Sequence, residues 1–165
     1  MKKNSFQELG WALGLMFLPV FYAIWNYQEL PDSLAIHFDL SGEGDSFLPK
    51  FLVVSAFPIV MMLLEVMIYW STVAKDILNP TFKHLIRWVF PFPFVSLYLA
   101  TIYRGLHESF DIRKTAAMVV ALVFIILGNY LPKKVQADRN SMNRKWAHLF
   151  VLLGFLTFIV SIFYL

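Results

Sequence analysis

Apolar and polar positions fall in long blocks along this chain rather than in short alternations. Five runs, at about 9–26, 51–73, 85–103, 115–131 and 147–165, consist mostly of Leu, Ile, Val, Phe, Met and Ala with few charges. Runs of about 18 or more such residues read as membrane-spanning helices, because about 20 residues at helical rise cross the hydrocarbon core. The predicted fold class is all-α: a polytopic integral membrane helix bundle of about five transmembrane helices, forming one membrane domain over 1–165. No repeat of fixed period and no linker to a second domain interrupts it. The long polar interval 27–50, between the first two runs, is expected to be an ordered extracytoplasmic loop.

Details inside the runs refine this reading. The first follows the basic start Met1-Lys2-Lys3; it is longer than a secretory h-region and no A-x-A site follows, so it reads as an uncleaved signal anchor. Gly10 and Gly14 form a small-xxx-small pair, which either lets a helix approach closely or reflects the ordinary glycine content of membrane helices. Pro91 and Pro93 remove two backbone donors from the third run and should bend or unwind it. The fourth stops at Pro132, just past its end.

Charge adds orientation. The chain is 59% hydrophobic and 15% charged, with a net charge of +3. The basic residues cluster between apolar runs, which is a topology signal and not a nucleic-acid footprint. With the N-terminus inside, Lys2, Lys3, Lys75, Lys83, Arg87, Lys133, Lys134, Arg139, Arg144 and Lys145 share one side, and Lys50, Arg104, Arg113 and Lys114 the other. Ten against four favours an N-in, C-out arrangement with the 27–50 loop outside. Trp11, Trp25, Trp70, Trp88 and Trp146 lie near run ends, as an interfacial aromatic belt requires.

The polar interval holds Glu29, Asp32, Asp39, Glu43 and Asp45 against Lys50. Pro31 restricts Leu30, while Gly42 and Gly44 permit a tight reversal. Between them Leu34, Ile36 and Phe38 alternate with Ala35, His37 and Asp39, an extended pattern that lays one apolar face on the helix ends. Asp32, His37, Asp39, Glu43 and Asp45 then form an acidic surface suited to a cationic ligand. The stretch Asp39 to Asp45 departs from a calcium loop, having Ser41 and Gly42 in the wrong places and no closing Glu, and reads as a solvated turn. His107-Glu108 begins like H-E-x-x-H, but position 111 is Asp. No nucleophile elbow, phosphate loop or cysteine is present. The sequence therefore predicts no catalytic residue, no metal site, no cofactor and no enzyme.

Within the membrane the costly residue is Glu65, about 12 Å from the inner end of the second run by helical rise. Arg87 starts from the same inner side with a stem long enough to reach it, and Asn129 is placed to complete a polar cluster. The alternative is that Glu65 is protonated or paired and only holds helices together.

Two motifs carry a resemblance. Leu30-Pro31-Asp32, His37-Phe38, Gly42 and Asp45 resemble the LPD, HF and GxxD pattern of a short domain of unknown function that precedes the core of the SdpI family of bacterial immunity proteins. Gly128-Asn129-Tyr130-Leu131-Pro132-Lys133 resembles the GNY(L/M)PK segment within that core. The stretch from Lys134 to His148 lacks the family's RTPW segment, and a sixth span is missing. The resemblance implies a bacterial cytoplasmic-membrane protein that gives immunity to, or senses, a secreted antimicrobial peptide or toxin. It also implies that some members hold a transcriptional repressor at the membrane, through the inner loop. The expected partners are the lipid bilayer, such a toxin, and a repressor or membrane subunit, with no nucleic acid. The alternative function is a small transporter, channel or accessory subunit with a polar path around Glu65.

Overall fold

The computed structural model describes residues 2–74, 80–130 and 144–164. Five helical segments, Phe6–Trp25, Leu52–Ala74, Pro80–Leu106, Ile112–Tyr130 and Lys145–Phe163, are long and apolar enough to cross a membrane. They form a polytopic helical bundle. Its elements are α1 (Lys2–Trp25), β1 (Ser33–Phe38), β2 (Gly44–Pro49), a π-helical turn (Leu52–Ala56), α2 (Phe57–Ala74), α3 (Pro80–Trp88), α4 (Pro91–Leu106), α5 (Ile112–Tyr130) and α6 (Arg144–Phe163). Helix α1 packs against α2, α3 and α4; α4 leads on to α5, and α5 to α6. Large apolar side chains such as Phe21, Leu63, Met67, Phe155 and Phe163 stay exposed, as helices solvated by lipid tails require.

Two local interruptions have identifiable causes. The third span breaks at Val89–Phe90, where Pro91 begins a new helix at its first position. A proline is tolerated there because its missing N–H is one of the helix-start donors that have no partner anyway. The second span opens in π register, with the Phe57 amide donating to the Leu52 carbonyl. The next donor in that register would be residue 58, which is proline and has no N–H. The buried Tyr98 hydroxyl takes its place, donating to the Val53 carbonyl at 3.3 Å. Within a membrane an unsatisfied carbonyl has no water to turn to, so the break in α2 and the position of Tyr98 belong together.

Glycines set the closest approaches. A Cβ at Gly128 would lie 2.8 Å from the Ala147 carbonyl oxygen, and one at Gly154 would lie 2.8 Å from that of Ala121. The α5–α6 pair is thus held at a spacing that a side chain at either position would prevent. Gly10 and Gly14 meet nothing, so the small-xxx-small pair in α1 makes no such contact here.

The interval between the first two spans is a β-hairpin. Strands β1 and β2 are antiparallel, with Leu34 opposite Leu48 and Ala35 opposite Phe47. The register then shifts between Ala35 and His37 and again between His37 and Phe38. These bulges break the expected alternation of β1. Leu34 is buried, but Ile36 is exposed and faces a groove with Val53, Phe57 and Met61, while Ala35 and Phe38 line another cleft. The second strand, Gly44–Pro49, is not legible in the sequence because its apolar residues do not alternate cleanly.

Leu30 and Leu34 join the core of Met16, Val20, Ala23, Val53, Phe94 and Ile102. Burying each is worth roughly 1.5–3 kcal/mol relative to water. Both pack at Gly105, in the last turn of α4: a Cβ there would overlap Leu34 and come within 3.4 Å of Leu30. Gly105→Val should therefore loosen the hairpin by about 1–3 kcal/mol. Amide exchange in 33–49 should quicken while exchange in α5 and α6 stays unchanged; unchanged protection of the hairpin would refute this docking.

Candidate functional site at the hairpin face

Between the hairpin and the end of α4 lies a cleft of about 550 Å³, within the range of small-ligand sites. Leu34, Ala35, Phe38 and Phe47 give it apolar walls, and Thr101, Arg104, Glu43 and Glu108 supply the polar groups. Arg104 is mostly buried, and its Nη2 stands 3.7 Å from Glu43 Oε2. That is a loose ion pair, not a hydrogen bond. Two carboxylates around one guanidinium leave the cleft acidic.

The hairpin tip is built by Asp39. Its Oδ1 accepts from the Ser41 amide at 2.8 Å, the Ser41 hydroxyl at 2.6 Å and the Glu43 amide at 2.9 Å. Gly42, at φ +89°, completes the reversal. A Cβ there would also lie 3.0 Å from Arg113 Nε. Arg113 is held by Asp111, with Nη2 to Oδ2 at 2.7 Å and Nε to Oδ1 at 2.9 Å, and it reaches the Leu40 carbonyl at 3.4 Å. Its guanidinium keeps the Asp111 carboxyl below the usual carboxylate range.

The five acidic-surface residues predicted from sequence thus separate by role. Glu43 lines the cleft. Asp45 Oδ1 accepts from His37 Nδ1 at 2.6 Å, on an exposed face. Asp39 spends one oxygen on the turn. Asp32 is fully exposed, 3.3 Å from Lys50 Nζ, a surface pair of little energetic weight. Lys50 also donates to the Leu30 carbonyl at 3.1 Å and lies over the Tyr27 ring, so it closes the base of the hairpin. Glu108, Arg104 and Gly105 were not foreseen; their position one turn from the end of a span, on the hairpin side, was the available signal.

At the opposite end of α1 is a second polar group. Glu65 is buried, as expected, but Arg87 does not hydrogen-bond to it. Arg87 Nη1 donates to Glu8 Oε2 at 2.6 Å and Nε to Thr72 Oγ1 at 2.8 Å, and Cζ sits 4.5 Å over the Tyr69 ring. Glu8, whose other oxygen is 2.8 Å from His84 Nδ1, precedes the apolar run, so hydropathy does not single it out. Its place at the same end as Arg87 was legible from the topology. Asn129 is exposed on α5. Pro132 and residues 134–143, part of the inner stretch compared with the family pattern, lie outside the described residues.

The Ser41 hydroxyl, together with the Glu43 and Ser41 amides, lowers the Asp39 carboxyl below its usual range. A depressed folded-state value means that the stabilisation is present above the unfolded value and is lost as pH falls through the folded one. Protection of the Glu43 amide should accordingly persist at neutral pH and disappear only below about pH 4. Asp39→Asn, which keeps the acceptor, should remove that acid step, and Asp39→Ala should abolish protection at every pH. Amide exchange of Glu43 checks all three.

A comparison with protein families matches residues 14–62 to a family described as "Domain of unknown function (DUF1648)". Comparison with curated proteins and with solved structures gives no match. The matched stretch begins within α1, takes in the whole hairpin and ends in α2, so it contains Leu30, Leu34 and the Asp39 turn but neither Gly105 nor the α5–α6 pair. A DUF1648 domain therefore occupies residues 14–62 of a five-helix, membrane-type bundle.

Proposed function

We propose that this chain is a multi-pass protein of a bacterial cytoplasmic membrane that recognises a secreted cationic antimicrobial peptide or toxin at its hairpin face, as an SdpI-like immunity or sensing protein does. One observation carries the reading: a β-hairpin anchored on the bundle leaves an acidic cleft of about 550 Å³ with apolar walls. That combination suits a cationic, amphipathic side chain or terminus. The surrounding connections 26–50 and 104–114 add to it. They hold Glu29, Asp32, Asp39, Glu43, Asp45, Glu108 and Asp111 against Lys50, Arg104, Arg113 and Lys114, seven acids to four bases. Such a field speeds encounter with a cationic partner and weakens as salt screens it. The two sequence motifs that resemble those of the SdpI family support the immunity reading.

The orientation belongs to the same proposal. The excess of Lys and Arg on the side opposite the hairpin favours a cytoplasmic N-terminus and an external hairpin. The chain has no cysteine, so introduced ones label cleanly. Ser46→Cys should react with a membrane-impermeant thiol reagent in intact cells, and Asn140→Cys only after permeabilisation; the reverse pattern would invert the topology.

For function, expression in a sensitive bacterium should raise survival against members of a panel of cationic antimicrobial peptides. The Glu43→Gln/Glu108→Gln double variant and Asp45→Asn should each reduce that protection at equal membrane abundance, and added salt should reduce it further. Full protection by both variants would sink recognition at this face.

A further inference from the structure

The polar group at the far end of α1 is not used by the hairpin cleft, and among the described residues it sets two carboxylates, Glu8 and Glu65, around one buried guanidinium. Glu65 is 1% exposed, and neither of its oxygens has a hydrogen-bond partner among the described residues. The charges acting on it are those of Arg87, from α3, and Glu8, from α1. Arg87 is 2% exposed and already commits Nη1 to Glu8 and Nε to Thr72, leaving Nη2 buried and unpartnered among the described residues. Among the described residues His84 is the other basic group that pairs at the centre; it is exposed and holds the far oxygen of Glu8, not Glu65. Tyr69 and Thr72, one and two turns along α2 from Glu65, present an aromatic face and a hydroxyl to Arg87, and neither brings a charge.

One buried guanidinium therefore faces two carboxylates. An ionised carboxylate in such a place needs both a counter-charge and hydrogen-bond donors, and Glu65 has no donor among the described residues. We propose that Glu65, Arg87 and Glu8 form an intramembrane proton-binding centre, in which Arg87 neutralises one carboxylate and the other holds a single proton. In the arrangement seen, Glu8 has the guanidinium and Glu65 the proton. The free Nη2 gives the alternative state: Arg87 turns to Glu65 as the O–H bond at Glu65 breaks and one forms at Glu8. The guanidinium stays charged throughout, and the centre retains one proton. Glu8 is the carboxylate that touches exposed His84, so His84 connects the centre to water.

The two carboxylates are thus interdependent, which a merely structural, permanently neutral Glu65 would not be. The test is infrared spectroscopy of the full chain in lipid nanodiscs at neutral pH, reading the carboxylic-acid C=O band, with monodispersity as the check on folding. The wild type should show the band, and Glu65→Gln, isosteric with the protonated acid, should lose it. Glu8→Gln should lose it as well, because Arg87 then passes to Glu65 and ionises it, while Glu8→Asp should keep it. Absence of the band in the wild type, or its survival in folded Glu65→Gln, would overturn the centre. Its survival in folded Glu8→Gln would overturn the exchange. Should Glu8→Gln fail to fold, the comparison of wild type with Glu65→Gln still decides where the proton sits. None of these readings depends on peptide recognition at the hairpin.

Discussion

The seating of Leu30 and Leu34 against Gly105 is the contact on which the hairpin end of this protein depends. Without it the segment between the first two spans would be a polar connection with a few bonds of its own, since an isolated two-stranded hairpin is marginal in water. With it, the two leucines enter the same core as Met16, Val53 and Ile102, so the hairpin shares the stability of the helices. The cleft follows as a consequence, because anchoring β1 at one point and turning the tip toward Arg113 leaves a gap along α4 between them.

Membrane solvation supplies the second constraint. A helix that loses a donor to proline must find another within the protein, and the two spans with interior breaks answer differently. The third restarts at Pro91 after a two-residue turn. The second shifts into π register ahead of Pro58 and borrows the Tyr98 hydroxyl from α4. That borrowed bond lies beside the stacked Phe94 and Tyr98 rings, and it ties the base of the hairpin to the helix that forms the far wall of the cleft.

The two polar regions are opposite solutions to the same chemistry. At the hairpin face the acids are mostly exposed, so that even the close pairs of Asp45 with His37 and Asp111 with Arg113 are screened by solvent, and together the acids contribute a field. Around Arg87 the guanidinium and Glu65 are buried, where pairing is strong and an odd charge is expensive. A single guanidinium between two carboxylates is stable there only if one of them is neutral, and which one depends on the neighbours each has.

The sequence by itself determined the number of spans, their approximate bounds, the polar interval between the first two and the break at Pro91, because each rests on runs of residues whose summed transfer energy swamps local detail. It also marked Glu65 and Arg87, since an ionisable residue inside an apolar run stands out whatever surrounds it. Only the tertiary structure decided the partners. Arg87 went to Glu8, because α1 presents that carboxylate where α3 ends, and a hydrogen bond is settled by ångströms that spacing along the chain does not encode. The seat at Gly105 and the approach of Arg113 to the hairpin tip likewise depend on contacts between residues about 70 positions apart, and the register of the second strand depends on bulges, which no periodicity of the chain reports.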